Sequence, residues 1–119
     1  SKYYDIFLRY HIWLTHEKKG DIIDHAKFRL LQLIDKKESL KAAANELGIS
    51  YRKAWGDIKE AEQQLRFALV EKFRGGEKGG KTVLTDDGRK LIEAYQELTE
   101  EMESATKRIT RKFFHKINQ

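Results

Sequence analysis

Residues 75–82, with the sequence GGEKGGKT, match the phosphate-loop pattern G-x-x-x-x-G-K-T that cradles nucleotide phosphates. That loop works within a parallel sheet with crossover helices, and a chain of 119 residues has no room for one. No apolar strand ending in aspartate is present to organise magnesium, and residues 83–85 resemble a strand followed by a helix cap. We therefore reject nucleotide hydrolysis and interpret residues 75–82 as the tip of a hairpin.

No other group of side chains predicts catalysis or metal binding. Four histidines show neither paired spacing on one helix face nor neighbouring carboxylates: His11, His16, His25 and His115. Asp86 and Asp87 are adjacent and diverge around a helix, so they favour a role at a helix N-terminus rather than acid–base chemistry. The chain has no cysteine. We expect no enzyme activity, no metal site and no cofactor.

The stretch from residue 39 to 65, SLKAAANELGISYRKAWGDIKEAEQQL, predicts a helix-turn-helix. Ser39 can cap the first helix, Gly48 can end it in the left-handed conformation, and Ser50 can cap the second helix. The positions that such a motif buries are apolar: Leu47, Ile49, Ala54 and Ile58. The first outward positions of the second helix carry hydrogen-bond donors and a basic pair, which is typical of a helix that enters the DNA major groove. A purely structural helix pair is the alternative.

Residues 67–84 follow this motif and predict a β-hairpin in the position of a wing. Two short apolar runs flank the glycine-rich, basic segment RGGEKGGK at residues 74–81. Glycines let such a tip approach a phosphate backbone, and its basic side chains can contact sugar-phosphate or the minor groove. The alternative is a flexible, solvated hairpin.

The predicted DNA-contacting residues come from the second motif helix and the wing. Trp55 is ambiguous, because it follows the buried Ala54 and could stack on the flank of the domain or face the DNA backbone. The full set is Ser50, Tyr51, Arg52, Lys53, Trp55, Lys59, Arg74, Gly75, Lys78 and Lys81.

The segment before the motif supplies its supporting elements. Residues 3–15 alternate apolar and mixed side chains and predict a strand, which residues 21–23 could follow as a short second strand. Asp24 can cap a helix that extends to about residue 36. The sequence thus predicts a mainly α fold with a small β component, a winged helix-turn-helix spanning residues 1–85.

Residues 86–119 predict one long helix, capped by Thr85, with a narrow apolar seam. Its members recur at three- and four-residue spacing: Leu91, Tyr95, Leu98, Met102, Ala105, Ile109 and Phe113. A domain of this size cannot cover so long a seam, so we expect it to pair with a second copy of the chain. An amphipathic helix folded back on its own domain is the alternative.

The composition agrees with a polyanionic partner. The formal net charge is +5 and the sequence pI is about 9.4. No run of about 18 apolar residues exists and the first residues lack the apolar core of a signal peptide. We expect a cytoplasmic protein that does not enter membranes.

An ordered series of short motifs resembles the DNA-binding half of the molybdate-responsive ModE transcription regulators, relatives of the LysR-type winged helices. The matching segments are GISYRKAW at residues 48–55, LVE at 69–71, GGEKGG at 75–80 and VLTDDGRKLI at 83–92. The resemblance implies a winged-helix dimer whose second motif helix reads operator DNA. The full-length regulators also carry a carboxy-terminal oxyanion-binding domain, which has no counterpart in these residues, so the chain resembles a stand-alone form and molybdate sensing is not implied.

These observations predict a homodimeric transcription regulator that binds double-stranded DNA. The alternative is a winged-helix module for protein interaction or small-ligand sensing without specific DNA binding. The sequence identifies neither the operator nor a small-molecule effector.

Overall fold

The computed structural model describes residues 2–75 and 80–119. In this part of the chain four helices and two antiparallel strand pairs follow one another. They are β1 (Leu14–His16), β2 (Gly20–Ile23), α1 (His25–Lys37), α2 (Leu40–Leu47), α3 (Tyr51–Leu65), β3 (Val70–Phe73), β4 (Lys81–Leu84) and α4 (Asp86–Ile117). The mainly α winged helix-turn-helix predicted from the sequence is confirmed.

Local capping chemistry sets the ends of the helix-turn-helix, as predicted. The Ser39 hydroxyl accepts a hydrogen bond from the Ala42 amide at 3.0 Å, and the Ser50 hydroxyl accepts one from the Lys53 amide at 3.0 Å. Between them Gly48 has a φ of 69°, the left-handed conformation that ends α2. The turn between the two helices therefore follows from Gly48 and Ser50, which lie two residues apart in sequence.

The core forms where α1 packs against α2, α3 and the base of the wing. Phe28, Leu31 and Ile34 on α1 are almost completely buried. Small side chains on the facing helices, Ala43, Ala44 and Ala54, are buried as well and let the helix backbones approach closely. Burial of this apolar surface is the main force that holds α3 in place.

The predicted strand at residues 3–15 is wrong for most of its length. Only Leu14–His16 forms a strand, and it pairs with Gly20–Ile23. Residues 6–13 have no strand assignment and are largely exposed; Phe7, for example, is 77% exposed. The alternating pattern allows a segment to pair with another strand, but β2 offers only four residues before Asp24, the N-cap of α1.

The wing is a hairpin of β3 and β4 in which Val70 lies opposite Leu84 and Phe73 opposite Lys81. Both strands are hydrogen-bonded to the helical core. The Glu62 carboxylate on α3 accepts from the amides of Leu69 and Val70, at 2.6 and 3.2 Å. On the other strand, the Thr82 amide donates to the Glu38 carbonyl at 3.1 Å. The base of the wing is therefore fixed relative to the helices.

The start of α4 lies against the backbone just before β3. The Thr85 hydroxyl donates to the Ala68 carbonyl at 2.7 Å, and the Thr85 amide donates to the Leu69 carbonyl at 3.0 Å. A Cβ atom on Gly88 would lie 2.3 Å from the Leu69 carbonyl oxygen. Position 88 therefore requires glycine for a steric reason.

The first turns of α4 belong to the domain core, which corrects part of the predicted seam. Tyr95 is 6% exposed; its ring stacks on Phe28 at 3.6 Å between centroids, and its hydroxyl lies 2.8 Å from His25 Nδ1. Leu91 is half-buried against the same core. These two side chains fit the seam spacing but pack within their own domain. Across the described ranges, no helix has both the length and the apolar character to cross a membrane.

Substitution Gly88→Ala tests the contact between α4 and the segment before β3. We expect it to lower the free energy of unfolding by about 1–3 kcal/mol, because the new methyl group displaces backbone rather than a flexible side chain. Urea denaturation followed by circular dichroism measures the change.

Gly56→Ala is the matched control for the same substitution within a helix. No atom lies within 4 Å of the Cβ that alanine would add at position 56, so we expect this variant to gain roughly 1 kcal/mol from alanine's higher helix propensity. Equal stability of the two variants would contradict the steric role of Gly88.

Candidate nucleic-acid interface

The outward surface at the start of α3 carries exposed cationic side chains. Within the described residues, the Arg52 side chain makes no hydrogen bond or ion pair. Lys53 lies 3.4 Å from Asp57, but its side chain is 62% exposed, and such a surface pair contributes little. Gly56, one helical turn after Arg52, adds no side chain to this surface. A flat, positively charged helix surface of this kind can fit closely against a polyanion.

Ser50 occupies the predicted position, and the structure gives it a capping role. Its hydroxyl oxygen accepts from the Lys53 amide, so this oxygen is engaged in the first turn of α3. The hydroxyl proton is still able to donate to an acceptor outside the helix.

A second face of α3 meets the wing. Tyr51, Trp55 and Lys59 follow one another at four-residue spacing and so lie on one side of the helix. Lys59 Nζ lies 4.4 Å from the Trp55 ring centroid and 3.0 Å from the Glu62 carboxylate. Trp55 is half-buried and packs against the core, which favours the flank position among the two alternatives for this residue.

Lys72 on β3 completes this face, and the sequence reasoning missed it. Its Nζ lies 3.9 Å from the Trp55 ring centroid and 4.9 Å from that of Tyr51, and it donates a hydrogen bond to the Tyr51 hydroxyl. A signal was present, because residues two apart in a strand share a face and Val70 is buried. That spacing places Lys72 on the side of β3 that faces α3.

A basic cleft opens between α2, the start of α3 and the wing. Its volume is about 330 Å³. Four cationic side chains line it: Lys41, Lys72, Arg74 and Lys81. Two hydroxyl-bearing residues from the helix starts, Ser39 and Tyr51, line it as well. Lys81 also pairs with Glu38 at 2.8 Å across the exposed surface. We refer to this space as the basic cleft. Three of the residues predicted to contact DNA lie together in it: Tyr51, Arg74 and Lys81. Arg52 and Lys53 do not line it.

The rest of the predicted wing tip is only partly described. Arg74 and Gly75 are exposed, and Gly75 has a φ of 90° that favours glycine. Lys78, the remaining predicted residue, lies outside the described residues. In the described ranges no group of three or more histidine, cysteine or carboxylate side chains could hold a metal ion.

The distal part of α4 presents the remaining seam residues to solvent. Leu98 and Met102 are 39% and 38% exposed, and Ile109 and Phe113 are 50% and 49% exposed. Ala105 is half-buried between them. This apolar strip begins where α4 leaves the core formed around Tyr95.

Solved structures with a similar fold include DNA complexes. The crystal structure of ArgP from Mycobacterium tuberculosis has a TM-score of 0.54 at 25% identity, covering 71% of this chain and 30% of that one. The BenM DBD–benA site 1 DNA complex has a TM-score of 0.55 at 23% identity, covering 73% of this chain and 96% of that one. The second likeness, at this identity, shows the fold alone.

Curated relatives are similar in sequence over most of this chain. The molybdenum transport protein ModE of Azotobacter vinelandii is 34% identical over 91 residues, which are 76% of this chain and 34% of that protein. The DNA-binding transcriptional dual regulator ModE of Escherichia coli K12 is 38% identical over 82 residues, 69% of this chain and 31% of that protein. The chain thus spans about a third of the length of these relatives.

A family model covers the part of the chain that forms the site. Residues 25–89, more than half of the sequence, match the bacterial regulatory helix-turn-helix proteins of the lysR family. The matched segment runs from the first residue of α1 to the first turn of α4, and it includes α3, the wing and Gly88. The chain therefore belongs to the lysR family of bacterial regulatory helix-turn-helix proteins.

Proposed function

We propose that this chain is a DNA-binding transcription regulator that acts as a homodimer and reads operator DNA with α3 and the wing. The observation that carries the proposal is the exposed, cationic start of α3 beside the basic cleft. The similarity to the Escherichia coli relative, a DNA-binding transcriptional dual regulator, supports it.

The positions of the basic residues suggest which of them contact bases and which contact the sugar-phosphate backbone. Arg52 and Lys53 lie on the outward surface of α3, which in this motif enters the major groove. Arginine and lysine there can donate to guanine O6 and N7. Lys41, Arg74 and Lys81 line the basic cleft instead, where sugar-phosphate contacts would fix the register of the helix on the duplex.

Pairing of α4 with a second copy is supported by its apolar strip and by its charge pattern. Acidic side chains are concentrated in residues 93–103 of the helix and basic ones in residues 107–116: Glu93, Glu97, Glu100, Glu101 and Glu103, then Lys107, Arg108, Arg111, Lys112 and Lys116. An antiparallel pair places the acidic segment of one helix beside the basic segment of the other, and opposite charges flanking an apolar seam favour that orientation. Two DNA-reading helices on one dimer would meet two half-sites.

Arg52→Ala tests base reading by α3. Selection of bound sequences from a random DNA pool first supplies the operator, and fluorescence anisotropy then measures affinity for operator and random duplex. We expect Arg52→Ala to weaken operator binding by about 1–3 kcal/mol with a smaller effect on random duplex, because one bidentate base contact is lost. Arg29→Ala, which removes the same charge from the exposed surface of α1, is the control. Equal operator affinity for Arg52→Ala and Arg29→Ala would remove Arg52 from base reading.

Ile109→Asp tests the α4 interface. A carboxylate in the centre of an apolar seam loses its hydration on pairing, so we expect the dimer to dissociate at concentrations where the unmodified chain stays paired. Sedimentation equilibrium measures the change. Ser104→Asp adds the same charge at an exposed position away from the strip and should leave the dimer intact. A monomeric unmodified chain, or identical behaviour of both variants, would count against the proposed interface.

A further inference from the structure

Lys72 links the wing to the first turn of the DNA-reading helix through a single side chain. Its ammonium group donates to the Tyr51 hydroxyl and lies over the rings of Tyr51 and Trp55. β3, which carries Lys72, is held to α3 by the Glu62 carboxylate through the amides of Leu69 and Val70. The backbone two and three residues before Lys72 is therefore hydrogen-bonded to α3, and this fixes the strand from which the ammonium group extends.

This arrangement determines what the Tyr51 hydroxyl can bind. A phenol has one proton to donate and accepts through its oxygen. When an ammonium group occupies the oxygen, the proton points away from it and the nearby positive charge disfavours any further donor. The hydroxyl is left as a donor toward an acceptor, and an anionic oxygen is the acceptor that forms the strongest hydrogen bond.

The surroundings of Tyr51 indicate which acceptor this is. Tyr51 is 45% exposed and lines the basic cleft with Lys41, Arg74 and Lys81. Arg52 and Lys53, which follow it directly, do not line the cleft. A group held there would meet several cations and the hydroxyl groups of Tyr51 and Ser39, which matches the charge and hydrogen-bonding capacity of a phosphate diester better than that of a neutral base edge.

We propose that Lys72 and Tyr51 form a phosphate clamp, in which Lys72 is a positioning residue that orients the Tyr51 hydroxyl toward a phosphate oxygen of the DNA backbone. The inference rests on the proposed DNA-binding function and refines it. Tyr51 then fixes the register of α3 on the duplex, whereas Arg52 and Lys53 face the bases. It also makes the wing strand part of the apparatus that orients the DNA-reading helix.

The first measurement tests the clamp in the free protein. The chain has two tryptophans, so Trp13→Phe leaves Trp55 as the only one. In that background Lys72→Met removes the ammonium group above the Trp55 ring, and we expect altered Trp55 emission and quenching by acrylamide. Lys72→Arg should restore most of the original signal, and Lys19→Met, an exposed charge in the turn between β1 and β2, should not alter it. If Trp55 emission and quenching are unchanged by Lys72→Met, the clamp is overturned by a measurement that does not involve DNA.

The second measurement is a double-mutant cycle on DNA binding. Tyr51→Phe keeps the ring and removes only the hydroxyl, so we expect about tenfold weaker binding to operator and random duplex alike, with an unchanged salt slope. Lys72→Met should weaken binding at least as much and reduce the salt slope by about 1. The double variant should be no weaker than Lys72→Met alone, because the hydroxyl acts only when Lys72 orients it.

Three outcomes of this double-mutant cycle would overturn the proposal, and each differs from failure of DNA binding itself. Losses that multiply in the double variant would show that Lys72 does not act through Tyr51. Weakening of operator binding alone by Tyr51→Phe would make this residue a base reader. If all variants bind random duplex with the same affinity, the clamp does not contact a DNA phosphate. If the unmodified chain binds no DNA at low salt, the proposed function fails together with the clamp.

Discussion

The Glu62 carboxylate is the contact on which the geometry of the proposed DNA-binding surface depends. One of its oxygens accepts two consecutive backbone amides at the start of β3, and the other meets Lys59 on its own helix. Its side chain is only 10% exposed, so these charge-assisted bonds are shielded from water. Without this contact the two amides would have to be satisfied elsewhere, and β3 would lose its fixed distance from α3. The Lys72 contacts with Tyr51 and Trp55, and the walls of the basic cleft, follow from that distance.

Local chemistry explains why much of the fold could be predicted from the sequence. A capping hydroxyl and the amide it accepts are three residues apart, so Ser39, Ser50 and Thr85 identify helix starts without knowledge of the rest of the chain. The hairpin was predictable for a similar reason, since its glycine-rich tip separates two short apolar runs. The ordered motifs from residue 48 to 92 then gave the family.

Features that depend on distant partners were not predictable in the same way. A strand requires a neighbour of matching length, and the short β2 strand leaves residues 6–13 without one in the described structure. Tyr95 has the same spacing in the seam whether it packs against a second chain or against Phe28 of its own domain. Periodicity identifies the apolar face of a helix but not what packs against that face. Lys72 gains its contacts from Trp55 and Tyr51, which lie 17 and 21 positions earlier in the chain. Gly88 is fixed by the backbone of Leu69, which its immediate neighbours in sequence do not reveal.

The burial of Tyr95 makes α4 a rigid lever as well as a connecting helix. The helix is fixed to the domain at this ring and continues for 22 residues, from position 95 to Ile117, over about 33 Å at 1.5 Å per residue. Because the lever and α3 share one packed core, a rotation of roughly 10° about Tyr95 corresponds to a displacement of about 6 Å at the far end. In the proposed dimer, a change in how the far ends of two α4 helices meet would therefore alter the orientation of α3, which couples events remote from the proposed DNA surface to it.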